Sequence, residues 1–233
     1  MITVRQANDR GHYVNGWLNS RHTFSFGDYY DPNHMGISVL RVINDDKVTP
    51  GAGFPTHPHQ NMEIISYVLE GELAHKDNMG NGSVIRPGDV QRMSAGTGVT
   101  HSEFNPSDTE GANFLQIWLL PNQKNVEPDY AQKYFSAEDK RGQLRLLISP
   151  DGRDGSISAN SDALMSGAIL DQGQTVEYDI SEDRVVYVHV ARGNAILNQV
   201  ALGAGDGATV YGEPSINLEG DSEAEILLFD LPN

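Results

Sequence analysis

The segment Gly51-Ala-Gly-Phe-Pro-Thr-His57-Pro-His59, answered about forty residues later by Gly98-Val-Thr-His101-Ser-Glu103-Phe-Asn105, decides how this chain reads. Each segment carries two metal-ligating side chains at spacing i, i+2. Alternate side chains leave a β-strand on the same face, so each pair can aim at one point. A hairpin between the segments is the right length to bring the second pair beside the first. Three imidazoles and one carboxylate around a common centre suit a divalent metal, with coordination positions left for water or substrate. A single His-X-His would carry little weight; the second pair makes the site. Imidazole must be neutral to ligate, so metal is expected to leave below about pH 6.

Outward from these pairs, the chain reads as short strands and turns. Ile37–Ile43 is rich in β-branched residues and predicts a strand, with Asn44-Asp45-Asp46 as its turn. Pro58 cannot donate to a ladder, which puts the first pair at a strand start, an edge or a bulge. Glu63–Leu69 and Glu72–Asp77 predict paired strands, followed by a turn of Asn-Gly type at Asn81-Gly82. Ser94–Gly98 is a loop of small residues that would let backbone pass close to the metal. Phe114–Leu120 closes the half as a buried strand. From Pro121 to about Gln143 the composition turns polar, with a short helix expected around Tyr130–Phe135.

The second half echoes the first. Val186–Gly193 answers Ile65–Gly71, Leu202–Asp206 answers Ile85–Asp89, and Glu225–Pro232 answers Phe114–Pro121. The ligands are not repeated. His189 is the only histidine after residue 121, and packing in an alternating strand explains it. His12, His22 and His34 lack a partner at ligand spacing and are expected to be structural or exposed. The domain reading is therefore 1–121 for a metal-binding unit, 122–143 for a linker and 144–233 for a unit without ligands.

Composition narrows the function. The 233 residues include 24 glycines and 11 prolines, as in a turn-rich β protein. Net charge is −16, with −5 in the first 121 residues and −11 in the rest, which disfavours direct binding to phosphate backbones. No apolar run reaches 18 residues, so no membrane span is expected, and cysteine is absent. The opening residues lack the apolar core of a signal peptide, which makes the cytoplasm the expected location.

The patterns Gly51-X5-His57-X-His59-X3-Glu63 and Gly98-X2-His101-X3-Asn105, in two repeated β units, resemble a bicupin. His22-Thr-Phe-Ser-Phe26, Tyr30-Asp-Pro32, Met35-Gly36, Thr56-His-Pro-His59 and Ser94-Ala-Gly-Thr-Gly98 together resemble the pirin family, and bacterial pirin-like quercetinases above all. The resemblance runs nearly end to end. It implies an all-β fold of two packed jelly-roll barrels, with one divalent ion in the first. Fe(II) is the expected metal, with Mn, Co, Ni, Cu or Zn as alternatives. It implies His57, His59, His101 and Glu103 as ligands, with Glu103 also taking the substrate proton. Glu63, which supplies the carboxylate in the general cupin pattern, is left as a residue behind the ligands. The implied activity is opening of the central ring of flavonols such as quercetin by O2, with release of carbon monoxide, by a monomer. The alternative is a metal-dependent regulator that acts by binding a protein partner without turnover.

Overall fold

Alternation of inward and outward side chains resolves the chain into two β-barrels, antiparallel except for one short parallel pair in the second, and the computed structural model describes residues 1–233. In the first barrel a seven-stranded sheet runs in the order Asp129–Tyr134, Asp89–Ser94, Glu63–Glu70, Ala112–Leu119, Leu40–Val48, Leu18–His22, Gly11–Val14. Its opposing four-stranded sheet has the order Gly53–His59, Val99–Phe104, Leu73–Asp77, Gly82–Ile85. The second barrel repeats the plan. Its seven strands are Ile2–Arg5, Gly207–Val210, Arg184–Arg192, Ala224–Pro232, Leu164–Leu170, Arg145–Ser149 and Ile157–Ser158, in that order. Its four are Thr175–Asp179, Ser215–Gly220, Asn194–Leu197 and Val200–Gly203. The echoed segments occupy matching places, with Glu63–Glu70 and Arg184–Arg192 both third in their sheets. This is the all-β bicupin read from the sequence.

The chain's first strand does not join the first barrel. Ile2–Arg5 pairs with Gly207–Val210 in the second. The segment 122–143 is likewise not free chain. Asp129–Tyr134 adds an edge strand to Asp89–Ser94, and a short helix follows at Ala137–Lys140. The helix expected at Tyr130–Phe135 is thus a strand, because an exposed sheet edge offers its backbone partners and overrides a weak local preference. The helix that does form has a capping box, in which the Ser136 hydroxyl accepts from the Asp139 amide and the Asp139 carboxylate accepts from the Ser136 amide. The turn expected at Asn44–Asp46 is also a strand, since Leu40–Val48 runs straight through it. Both neighbouring strands bond along its length, which satisfies backbone that Asn and Asp would otherwise turn.

The barrels join through their large sheets. Nearly every residue of Glu63–Glu70 is buried, because both faces of this strand are covered. Ile65, Tyr67 and Leu69 enter a core of 22 residues shared with Leu147, Tyr187, Phe229 and Leu231 of the second half. Ile64 and Val68 point the other way, into the first barrel. The two interiors differ. The second barrel is filled by 15 apolar residues, among them Val186, Val188, Leu218 and Leu228, whereas the first holds separate apolar clusters of only six and four. His189 is buried in its strand, with neither ring nitrogen hydrogen-bonded.

One polar latch crosses the interface. The Lys140 ammonium donates to Tyr67 Oη at 2.7 Å and to Glu225 Oε1 at 2.9 Å, and the Tyr67 hydroxyl donates to the same carboxylate. Lys140 is almost wholly buried, whereas Glu225 is partly exposed and keeps the Tyr67 hydroxyl and, at 3.9 Å, Arg192, so loss of Lys140 removes two charge-assisted hydrogen bonds without isolating the carboxylate. Lys140→Ala is expected to lower the unfolding free energy by about 1.5–3 kcal/mol. Urea titration measures this, and a loss of less than about 1 kcal/mol would show the latch to be incidental.

Candidate metal centre

The centre is built by register on the four-stranded sheet of the first barrel. Three adjacent strands, Gly53–His59, Val99–Phe104 and Leu73–Asp77, pair with His57 opposite His101 and His101 opposite Asp77. One step along, Glu103 lies opposite His75. Period-2 alternation sends Val99, His101 and Glu103 inward from the middle strand, and Leu73, His75 and Asp77 inward from its neighbour. The first strand lies at the sheet edge, where Pro58 is tolerated and the missing N–H is harmless. A bulge between His101 and Glu103 adjusts their spacing against the edge strand.

The three imidazoles of His57, His59 and His101 converge, with ring centroids 4.4–4.9 Å apart and one nitrogen from each within 4.8 Å of the others. Their hydrogen bonds select which nitrogen is offered. His57 Nδ1 donates to the Pro55 carbonyl at 2.8 Å, which leaves Nε2 as the lone-pair nitrogen. His59 Nε2 and His101 Nε2 are buried without any partner. An orphaned buried nitrogen costs about 1–3 kcal/mol, and two beside a third imidazole fit a divalent ion. Burial, reinforced by the neighbouring imidazoles, lowers His59 to about 4 and His101 to about 3. Both are therefore neutral near pH 7, the form that ligates.

Behind His101 stands a relay that sequence reading missed. His101 Nδ1 lies 3.4 Å from His75 Nδ1, and His75 Nε2 lies 3.1 Å from Asp77 Oδ2, all buried. Burial pushes the Asp77 carboxyl up. Hydrogen bonds from the Asn81 side chain, His75 and the amides of Asn81 and Met79 outweigh this and hold it below its ordinary value. An ionised Asp77 fixes the proton on His75 Nε2. His75 Nδ1 then accepts from His101 Nδ1–H, which leaves His101 Nε2 bare. The carboxylate–imidazole pairing typical behind metal ligands is thus present, one residue further back. The His-X-Asp spacing of residues 75 and 77 was the available signal.

Glu103 is buried, and one of its oxygens lies within 4.8 Å of nitrogens of His101 and His75. Gln116 Nε2 donates to both oxygens, at 3.0 and 3.1 Å, and Ser66 Oγ donates to Oε1 at 3.3 Å. Glu63 faces elsewhere. Ser94 Oγ donates to its Oε1, and the Asn160 amide donates to its Oε2 at 3.2 Å, so it ties the second half to the first. The loop Ser94–Gly98 does not serve close approach to the centre at Gly96. A Cβ there would meet the Val126 carbonyl at 2.1 Å, and φ is +44°.

A cavity of about 480 Å³ opens beside the histidines. One side is the edge strand, with Phe54, Pro55, Thr56, His57 and His59. The other is three strands of the large sheet, with Leu18, Ser20, His22, Asn44, Asp46, Gln116 and Trp118. The Trp118 ring meets His59 edge-on at 5.0 Å. The three histidines expected to be structural or exposed divide here. His12 and His34 bond to Asn19 and Asp31 away from the cavity, while His22 lines it, lowered to about 4 by burial and by the charge of Arg10. Asp46, expected in a turn, is fully enclosed. Burial pushes its carboxyl up to about 7; the nearby Ser20 hydroxyl pulls it down, and Glu103 and Asp45 add to the rise.

Fold and centre together define a bicupin whose first barrel carries a cluster of metal-type side chains. The Pirin family profile matches residues 3–119, and that of the quercetinase C-terminal cupin domain matches 146–231. A quercetin 2,3-dioxygenase from Escherichia coli K12 is 48% identical over 233 residues, covering 100% of this chain and 99% of the relative. A pirin-like protein from Caulobacter vibrioides is 40% identical, covering 99% of each. The crystal structure of bacterial pirin YhhW from Escherichia coli in complex with nickel(II) superposes with a TM-score of 0.95 at 46% identity, covering 100% of this chain and 99% of that one. This chain belongs to the pirin family.

Two measurements test the centre. His75→Phe is expected to weaken nickel binding by about 10–100-fold in a chelator competition, while Glu63→Gln keeps the wild-type stoichiometry. Equal effects from the two would refute the relay. The lowered values of His59 and His101 also move the expected acid release. A lowered imidazole pKa keeps the lone pair free to lower pH, so proton competition at these nitrogens sets in near pH 4 to 3 rather than at 6. Nickel content should hold from pH 7 to 5 and fall below that; half-release at pH 6 or above would overturn the assignment.

Proposed function

We propose that this chain is a flavonol 2,3-dioxygenase of the quercetinase type, which opens the central ring of quercetin with O2 to give a depside and carbon monoxide. The observation that carries the reading is the convergence of the His57, His59 and His101 imidazoles beside a cavity of about 480 Å³, which His57 and His59 line and which is within the range that holds small organic ligands. A closed structural metal site needs no such space, nor does a regulator that acts through its surface. The full-length likeness to a relative named quercetin 2,3-dioxygenase supports the same reading.

In this reading His57, His59, His101 and Glu103 hold the ion, Fe(II) by preference, with the nickel(II) complex of the related pirin supporting a permissive site. A divalent ion held there supplies Lewis acidity for the flavonol 3-hydroxyl and a redox path to O2. The chain's own groups do the rest. Glu103 Oε2 carries one hydrogen bond where Oε1 carries two, so Oε2 is the oxygen with capacity to take the hydroxyl proton. Gln116 and Ser66 hold that carboxylate in place while it does so. Trp118 and Phe54 give an apolar slot in which the flat ring system is oriented and water is displaced.

The test is incubation of protein loaded in turn with iron, manganese, cobalt, nickel and copper with quercetin under air. Loss of the flavonol band with release of carbon monoxide is expected, and its abolition in His101→Ala and under anaerobic conditions. No carbon monoxide with any of these metals would refute the enzyme reading and leave the partner-binding regulator in its place.

A further inference from the structure

The cavity's large-sheet wall carries polar atoms that neither the metal site nor the fold employs. Ser20 and His22 come from one strand, and Asn44 and Asp46 from the next. Register sets Ser20 opposite Asp46 and His22 opposite Asn44. All four are at least nine-tenths buried. Ser20 Oγ, His22 Nδ1, Asn44 Oδ1 and Asp46 Oδ1 form no hydrogen bond of good geometry, although the Ser20 hydroxyl lies near enough to Asp46 to act on its carboxyl. The corresponding interior of the second barrel is filled with aliphatic side chains, so this polarity is not a requirement of the fold.

The chemistry of these atoms restricts what can satisfy them. Asn44 Oδ1 is an acceptor, Asp46 Oδ1 accepts when ionised, and Ser20 Oγ and His22 Nδ1 can accept. The ligand must therefore bring several O–H or N–H donors to one edge. The lining also presents the aromatic rings of Phe26, Phe54 and Trp118, which suits a flat ring. Near His59 the unpartnered group is instead a donor, Trp118 Nε1–H, placed for a ligand oxygen at the metal end.

We propose that Ser20, Asn44 and Asp46 form a specificity subsite for the phenolic hydroxyls of the substrate, so that the chain selects polyhydroxylated aromatic ligands over those bearing only the metal-binding head. The subsite rests on the flavonol reading above. Asp46 is its principal determinant, since its carboxyl accepts a phenol O–H when ionised and donates to a phenol oxygen when protonated.

The experiment is an anaerobic titration of the nickel(II)-loaded full-length protein with quercetin and with 3-hydroxyflavone, followed by the flavonol absorption band. The two share the 3-hydroxy-4-oxo head, and 3-hydroxyflavone has no other hydroxyl. Wild-type protein is expected to bind quercetin at least about tenfold more tightly. Asp46→Leu should weaken quercetin by about tenfold, move 3-hydroxyflavone by less than about twofold, and leave the thermal midpoint unchanged or raised, because it removes an unpartnered buried group. Ser20→Ala, which deletes only a hydroxyl, should lower the same ratio by a few-fold and serves if Asp46→Leu does not fold. Equal binding of both flavonols by the wild type, or an unchanged ratio in the variants, overturns the subsite while quercetin turnover would leave the dioxygenase reading intact. Binding of neither flavonol overturns both.

Discussion

Cross-strand register on one four-stranded sheet is the constraint on which the site depends. His57, His101 and Asp77 are direct partners across three neighbouring strands, and Glu103 and His75 are partners one step along. Because side chains alternate, a slip of one residue in any pairing would turn its ligands out of the barrel. The inward Leu73 and Val99 resist that slip, since it would expose them as well. The apolar positions of these strands therefore hold the polar ones in place. The metal-type cluster is a consequence of hydrophobic pairing rather than of attraction among its members.

The two barrels show what a site does to a core. Their strand orders match, yet one interior is a continuous aliphatic core and the other is divided by buried Ser, Asn, Asp, His, Gln and Glu side chains. Several of these polar atoms are unpartnered within the chain, which a fold under no other demand would not retain. The second barrel, with the shared core and the Lys140 latch, supplies stability that the first forgoes at its cavity. The largest apolar cluster lies between the halves rather than within either, so neither barrel is complete without the other.

Orientation at the centre is inherited from outside it. Gln116 and Ser66 hold Glu103, and the Pro55 carbonyl sets the His57 tautomer. Asp77, fastened by the Asn78–Asn81 turn, sets that of His101 through His75. Each support lies on a neighbouring strand or its turn, so the geometry is as rigid as the sheets that carry it.

The sequence by itself determined the fold class and the ligand-type residues, because both are local. Period-2 alternation, turn residues and two His-containing pairs at spacing i, i+2 can be read from consecutive positions, and the internal echo from comparing halves. What needed the tertiary structure was whatever depends on the partner strand. Asn44-Asp45-Asp46 has turn composition, but two flanking strands hold it extended and send Asn44 and Asp46 into the cavity. Tyr130–Phe135 looked helical and is largely the strand Asp129–Tyr134, because Asp89–Ser94 leaves an edge to fill. His22 resembled the solitary His12 and His34 until register set it opposite Asn44, and His75 acquired its role only when Asp77 and His101 closed around it. A polar residue's own spacing shows which face it takes, but only the strand laid against it settles whether that face is solvent, core or site.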